Sequence, residues 1–159
     1  MKLLFYINSP SNYQFDFFEE LKKKHDIFVI YQNKYSDNFK LNIKKKSWFF
    51  FLNNKKKLLL NKILEKFNPQ LVIIGGYKLD IKSRYIIKNK IKKFYWLERV
   101  NENNKIKNII RYLYLKNKLK TADGIFAIGK YATNFYKKFN SNVYNVPYSI
   151  NLEKKNKKL

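Results

Sequence analysis

The run Leu71-Val72-Ile73-Ile74 carries no polar residue on either side of its alternation, so a strand built from it has no face to give to water. Such a strand must be covered above and below. Lys2 to Ile7, Asp26 to Tyr31, Phe94 to Leu97, Gly124 to Ile128 and Val143 to Val146 also read as strands. Helical patterns separate most of them. Ser11 and Gln14 have the spacing of a capping box, and Phe17, Phe18 and Leu21 mark one apolar face before Lys22-Lys23-Lys24. Leu60, Ile63, Leu64 and Phe67 recur at i, i+3, i+4 and i+7 and stop before Pro69. A helix is predicted over residues 78–91. Another, over 105–120, is apolar on more than one side, and a last one carries Ala132, Phe135, Tyr136 and Phe139. Apolar strands alternating with helices predict an α/β fold. The expectation is a Rossmann-like, mostly parallel six-stranded sheet with helices on both faces.

At 159 residues, the chain suits one domain, expected over residues 1–147 and followed by a linker-like basic tail over 148–159. No cysteine and a single histidine argue against disulfides, thiol chemistry and a Cys- or His-rich metal site. His25 precedes the Asp26 strand, at the wrong end of a sheet for a ligand cleft, and reads as structural. No stretch approaches the length of a spanning helix, and Leu3 to Ile7 is short for a signal peptide, so the expectation is a cytoplasmic protein, either free or peripheral on the inner membrane face.

The net charge of +24 points toward polyanions, yet only Arg84, Arg99 and Arg111 are arginines and every other cation is lysine. Base readout favours the arginine fork, so nucleic acid is not the expected partner. The many Lys, Asn, Ile, Phe and Tyr residues also fit an A/T-rich coding bias.

Ligands of an open parallel sheet bind beyond the carboxyl ends of its strands. There the sequence places Asn8 and Ser9, then Gly75, Gly76 and Tyr77, then Glu98, Arg99 and Asn101, and finally Gly129. Paired glycines can bring backbone amides close to a phosphate or hydroxyl, or can simply make a tight turn. A carboxylate beside a guanidinium suits sugar hydroxyls and phosphate, or a salt-bridged loop. Neither a G-x-G-x-x-G nor a P-loop motif occurs, so no dinucleotide cofactor or P-loop nucleotide is expected, and with no metal motif either no metal is expected. Elsewhere, Trp48, Phe49 and Phe50 stand between Lys44-Lys45-Lys46 and Lys55-Lys56-Lys57. Rings among lysines suit an anionic bilayer surface or single-stranded nucleic acid, or a buried element flanked by solvated lysines.

Thr121-Ala122-Asp123-Gly124-Ile125-Phe126-Ala127-Ile128-Gly129-Lys130-Tyr131-Ala132, followed by a short helix and by Val143 to Asn151 with Val146-Pro147-Tyr148-Ser149-Ile150, resembles the end of the N-terminal domain in glycosyltransferase family 4. The resemblance implies half of a GT-B fold, binding a glycan or lipid-linked acceptor, while a second domain holds the nucleotide-sugar donor. It implies transfer with retention and no essential metal. The sequence ends at Leu159, and Glu19, Glu20, Glu65, Glu98, Glu102 and Glu153 include no pair seven residues apart such as the family's donor domain carries. The expectation is therefore an acceptor-side half, inactive alone, that is either cut short or pairs with a separately encoded donor domain. Arg111 and Lys116 have the spacing of the family's donor-phosphate pair but sit on a helix of the wrong domain. The alternative expectation is a non-catalytic basic module docking on membrane or nucleic acid through residues 44–57.

Overall fold

The computed structural model describes residues 1–33, 47–52, 57–79, 81, 83–99 and 105–147. In chain order the elements are β1 (Lys2–Ile7), α1 (Asn12–Lys22), β2 (Asp26–Tyr31), β3 (Phe49–Phe51), α2 (Lys57–Phe67), β4 (Leu71–Gly75), α3 (Arg84–Lys88), β5 (Lys92–Leu97), α4 (Lys105–Lys120), β6 (Gly124–Ala127), α5 (Lys130–Tyr136) and β7 (Val143–Asn145). The strands form one all-parallel sheet in the order β3-β2-β1-β4-β5-β6-β7. The chain thus builds outward in one direction from β1 and in the other from β4. Their boundary is the topological switch point of a Rossmann-like sheet.

Burial explains why the strands lack polar alternation. Leu4, Tyr6, Val72, Ile74, Tyr95, Leu97 and Ile125 pack beneath α2, α3, α4 and α5, while Leu3, Phe5, Ile7, Ile73 and Trp96 pack on the other face with Phe18 of α1. Both faces of the central strands are core. An apolar cavity of about 240 Å³ lies beside α1, lined by Leu3, Phe5, Phe17, Leu21, Trp96 and Phe126 among others.

The helix termini follow local chemistry. Gln14 Oε1 accepts from the Ser11 amide at 3.2 Å, the half of the expected capping box that ties the side chain back to the cap. Helix α2 ends at Phe67, and Asn68 takes a left-handed φ of 49° just before Pro69.

Two elements differ from the sequence expectation. The sheet has a seventh strand, because Phe49–Phe51 pairs in parallel with Val29, Ile30 and Tyr31 at the sheet edge. The helix expected over 78–91 shrinks to Arg84–Lys88. Ser83 caps it, its Oγ accepting from the Tyr85 amide at 3.2 Å, while Ile81 reaches the core from the preceding loop. An apolar residue can serve a core without belonging to a helix, and periodicity does not separate the two cases.

Gly124 is required by packing rather than by backbone conformation. A Cβ there would stand 2.3 Å from Cε1 of Phe94, whose ring lies 4.9 Å from that of Phe126 and 6.2 Å from that of Tyr144. Gly124→Ala is expected to cost about 1–3 kcal/mol by overpacking, read from denaturant unfolding. Adding Phe94→Leu should recover part of the loss, since the two sites are in contact. Simple additivity in that double variant would show that the ring is not what excludes the methyl.

Candidate functional site at the switch point

Four strand ends form the site. The carboxyl end of β1 supplies Asn8 and Ser9, that of β4 Gly75, Gly76 and Tyr77, that of β5 Glu98 and Arg99, and that of β6 Ile128; with Tyr13 and Gln14 of α1 they line a cleft of about 460 Å³. Parallel pairing of β1 with β4, and of β4 with β5, brings these segments side by side even though the chain separates them widely. The floor is apolar, from Ile7, Trp96 and Leu97, and the rim is polar. A binding site of this kind uses the floor for contact area and the rim for orientation.

Gly76 has a φ of 105°, a conformation that L side chains rarely adopt, and a Cβ added there would meet nothing within 4 Å. The turn therefore needs glycine for its backbone, while the space beside it stays open to the cleft. Its amide donates to the Trp96 carbonyl at 3.0 Å, so that N–H belongs to the loop rather than to a ligand. The tight-turn alternative describes this amide. Gly75 differs, since a Cβ there would stand 3.2 Å from the Ile7 side chain.

At the β1 end, Asn8 is tied to Asn33 twice. The Asn33 amide donates to the Asn8 carbonyl at 2.8 Å, and Asn33 Nδ2 donates to Asn8 Oδ1 at 2.9 Å. At the β5 end, the Arg99 guanidinium sits 5.5 Å from the centroid of the Tyr131 ring, which is exposed. Stacking on a ring holds the planar cation in place and leaves its edge donors available to an anion or hydroxyl. Gly129 caps α5 with a φ of 88°, and its carbonyl accepts from both the Thr133 amide and the Thr133 Oγ1 at 3.0 Å. It lies next to Ile128 rather than in the lining itself.

Two residues that sequence reading did not single out for the site hold its rims. Lys118 Nζ donates to the carbonyls of Tyr77, at 2.8 Å, and of Leu79, and lies 5.3 Å from the Tyr95 ring. Tyr136 Oη donates to the Glu98 carbonyl at 2.8 Å from a fully buried ring. Burial pushes the Tyr136 phenol up, nearby Tyr77 and Glu98 add to the rise, and Arg111 opposes it. Neither carries a sequence signal, because each acts on a loop some forty residues away.

No protein-family model matches the chain, and no curated protein matches it.

Asn101 lies outside the described residues, as do Lys44, Lys45, Lys46, Lys55 and Lys56, while Lys57 opens α2. Trp48 and Phe49 are each only 6% exposed. Trp48 packs against Phe15, Phe18 and Phe49 at centroid distances of 6.1, 6.1 and 5.3 Å, and only Phe50 of the three expected surface rings is partly exposed. The rings at 48 and 49 are core, so they are corrected from a surface role to the buried-strand alternative. The physical reason is that β3 closes the sheet edge against α1. His25 follows α1 just before Asp26, which pairs with Lys2, and so lies at the amino-terminal end of the sheet. Arg111 and Lys116 both lie on α4 and are absent from the cleft lining.

Proposed function

We propose that the chain is the acceptor-binding domain of a retaining glycosyltransferase similar to family 4, using the switch-point cleft to hold a glycan or lipid-linked sugar. The observation that carries this reading is the cleft's composition. An apolar floor containing Trp96 is rimmed by Glu98, Arg99, Asn8 and Tyr77, which suits the apolar faces and hydroxyl edges of a sugar ring. The resemblance of residues 121–151 to the end of a family 4 N-terminal domain supports it.

In this reading Glu98 accepts hydrogen bonds from acceptor hydroxyls, and Arg99, held on Tyr131, donates to a phosphate or hydroxyl. The reacting hydroxyl attacks the anomeric carbon of a nucleotide-sugar held by a separate donor domain on the face from which the nucleotide phosphate leaves, so configuration is retained, and its proton passes to the departing phosphate. The chain alone then binds acceptor without turning it over.

The test has two stages. In amide NMR spectra, titrating mono- and disaccharides into the protein should move Gly75 and Gly76 while Gly124, inside the sheet, stays put. In an enzyme completed with a donor domain, Glu98→Ala or Arg99→Ala should lower acceptor turnover about tenfold or more, the worth of one lost hydrogen bond to a charged group. Sugars that leave the cleft glycines unmoved, or turnover untouched by both substitutions, would rule the reading out.

A further inference from the structure

Helix α4 is apolar on two sides, and the fold uses one of them. Leu115 and Leu119 are fully buried under the sheet layer. On the other side Ile109, Ile110 and Leu113 are 64%, 66% and 57% exposed, with Tyr112 and Tyr114 about half exposed beside them. Residues 109, 113, 116 and 120 follow one another at four-, three- and four-residue steps, so they share one stripe of the helix. That stripe is aliphatic in its first half and carries exposed Lys116 and Lys120 in its second. Charged and polar residues normally fill such positions on a solvated helix.

The shape and charge of this stripe choose its occupant. It is a ridge on a single helix, and its aliphatic residues line neither the cavity beside α1 nor the switch-point cleft. A second copy would bring its own lysines and a net charge of +24 against the same ridge. Single-stranded nucleic acid stacks on aromatic faces, and the most exposed side chains here are isoleucine and leucine. An anionic bilayer satisfies every part. Aliphatic side chains enter the acyl boundary, and lysines reach lipid phosphates.

We propose that α4 docks the protein on an anionic membrane surface, with Ile109, Ile110 and Leu113 inserted and Lys116 and Lys120 on the headgroups. No described helix is long and apolar enough to cross the membrane, so this is attachment to one leaflet. The residues involved are not those of the 44–57 segment singled out from the sequence, and the inference does not depend on the cleft being a sugar site.

The experiment is co-sedimentation of the full chain with vesicles of phosphatidylcholine alone and of phosphatidylcholine mixed with phosphatidylglycerol. Wild-type protein should bind the mixed vesicles in preference. The double variant Ile110→Ser, Leu113→Ser keeps every charge and should lose about tenfold or more in partitioning, since two buried aliphatic side chains are removed from the bilayer. Both positions face solvent, so an unchanged circular dichroism melt is expected.

A Leu113→Trp variant supplies a reading at the site itself. Its emission should shift to the blue on adding mixed vesicles and be quenched by brominated lipid. Adhesion by lysines spread over the whole surface would leave the serine variant binding like wild type, and that result overturns the proposal. So does a tryptophan that keeps its aqueous emission. Binding to a single-stranded oligonucleotide without binding to vesicles overturns it as well, as does a dimer that the serine variant dissolves in protein that ignores vesicles.

Discussion

Tyr136→Ala is expected to lower the unfolding free energy by about 3–5 kcal/mol, the usual cost of deleting a large buried aromatic ring. The ring is fully buried, stands 5.1 Å from Phe135 and 6.5 Å from Phe139, and is part of the core under the sheet. Tyr136→Phe separates the two roles. It keeps the ring and removes only the 2.8 Å bond to the Glu98 carbonyl, at an expected cost of about 1 kcal/mol. Because that bond holds the loop after β5, amide exchange at Glu98 and Arg99 should quicken more than global stability falls.

The same phenol sets an alkaline limit. Burial raises Tyr136, and it raises Tyr6 and Tyr31 in the same direction. The folded protein therefore holds these protons more tightly than the unfolded chain. Their contribution is complete below the ordinary tyrosine value near about 10 and is lost as pH rises above it. A melting temperature that declines steadily above about pH 10 is expected, with a shallower decline in Tyr136→Phe. Equal slopes in the two proteins would remove Tyr136 from the explanation.

Lys118→Met is the second large effect, at about 2 kcal/mol. The change keeps an unbranched apolar stem and removes the ammonium that donates to the Tyr77 and Leu79 carbonyls and to Tyr114 Oη at 3.1 Å. It also removes a cation from 5.3 Å over the rings of Tyr95 and Tyr114. Gly75, Gly76 and Tyr77 form the β4 rim of the cleft, and the loop turns back on itself through the Leu79 amide donating to the Gly76 carbonyl at 3.4 Å. Faster hydrogen exchange at Leu79, together with weaker ligand binding at the cleft, is the expected signature. A variant that melts like wild type and exchanges no faster would show that the rim stands without this lysine.

The two pins mark a boundary in what sequence patterning conveys. Runs such as Leu71 to Ile74 announce buried strands because a strand covered on both faces has no use for polar residues. The i, i+3, i+4, i+7 spacing through Leu60, Ile63, Leu64 and Phe67 announces a helix face for a similar reason. Both signals are local, and the α/β class followed from them. The short strand Phe49–Phe51 was ambiguous, since three phenylalanines suit an edge strand, a helix start or a wet surface equally well. Its pairing with β2 and the contacts of Trp48 with α1 resolve the ambiguity. Helix α4 was legibly apolar on two sides, but which side the core would take depended on how the helix lay against the sheet.

The cleft divides in the same manner. That Asn8, Ser9, Gly75, Gly76, Tyr77, Glu98 and Arg99 meet at one cleft was legible, because a parallel sheet gathers the residues following its strands at one end, whereas Gly129 falls beside the lining. That the Gly76 amide belongs to Trp96, that Lys118 holds Tyr77 across 41 positions and that Tyr136 holds Glu98 across 38 was not legible. The sequence by itself determined the strands, most of the helices and the end of the sheet where a ligand can sit, since hydrophobic periodicity is a property of neighbouring residues. Strand order, the seventh strand, the exposed side of α4 and the fastening of both cleft rims were decided by the tertiary structure alone. Hydrogen-bond partners and buried faces depend on which distant segments the fold brings together, and no local pattern encodes that choice.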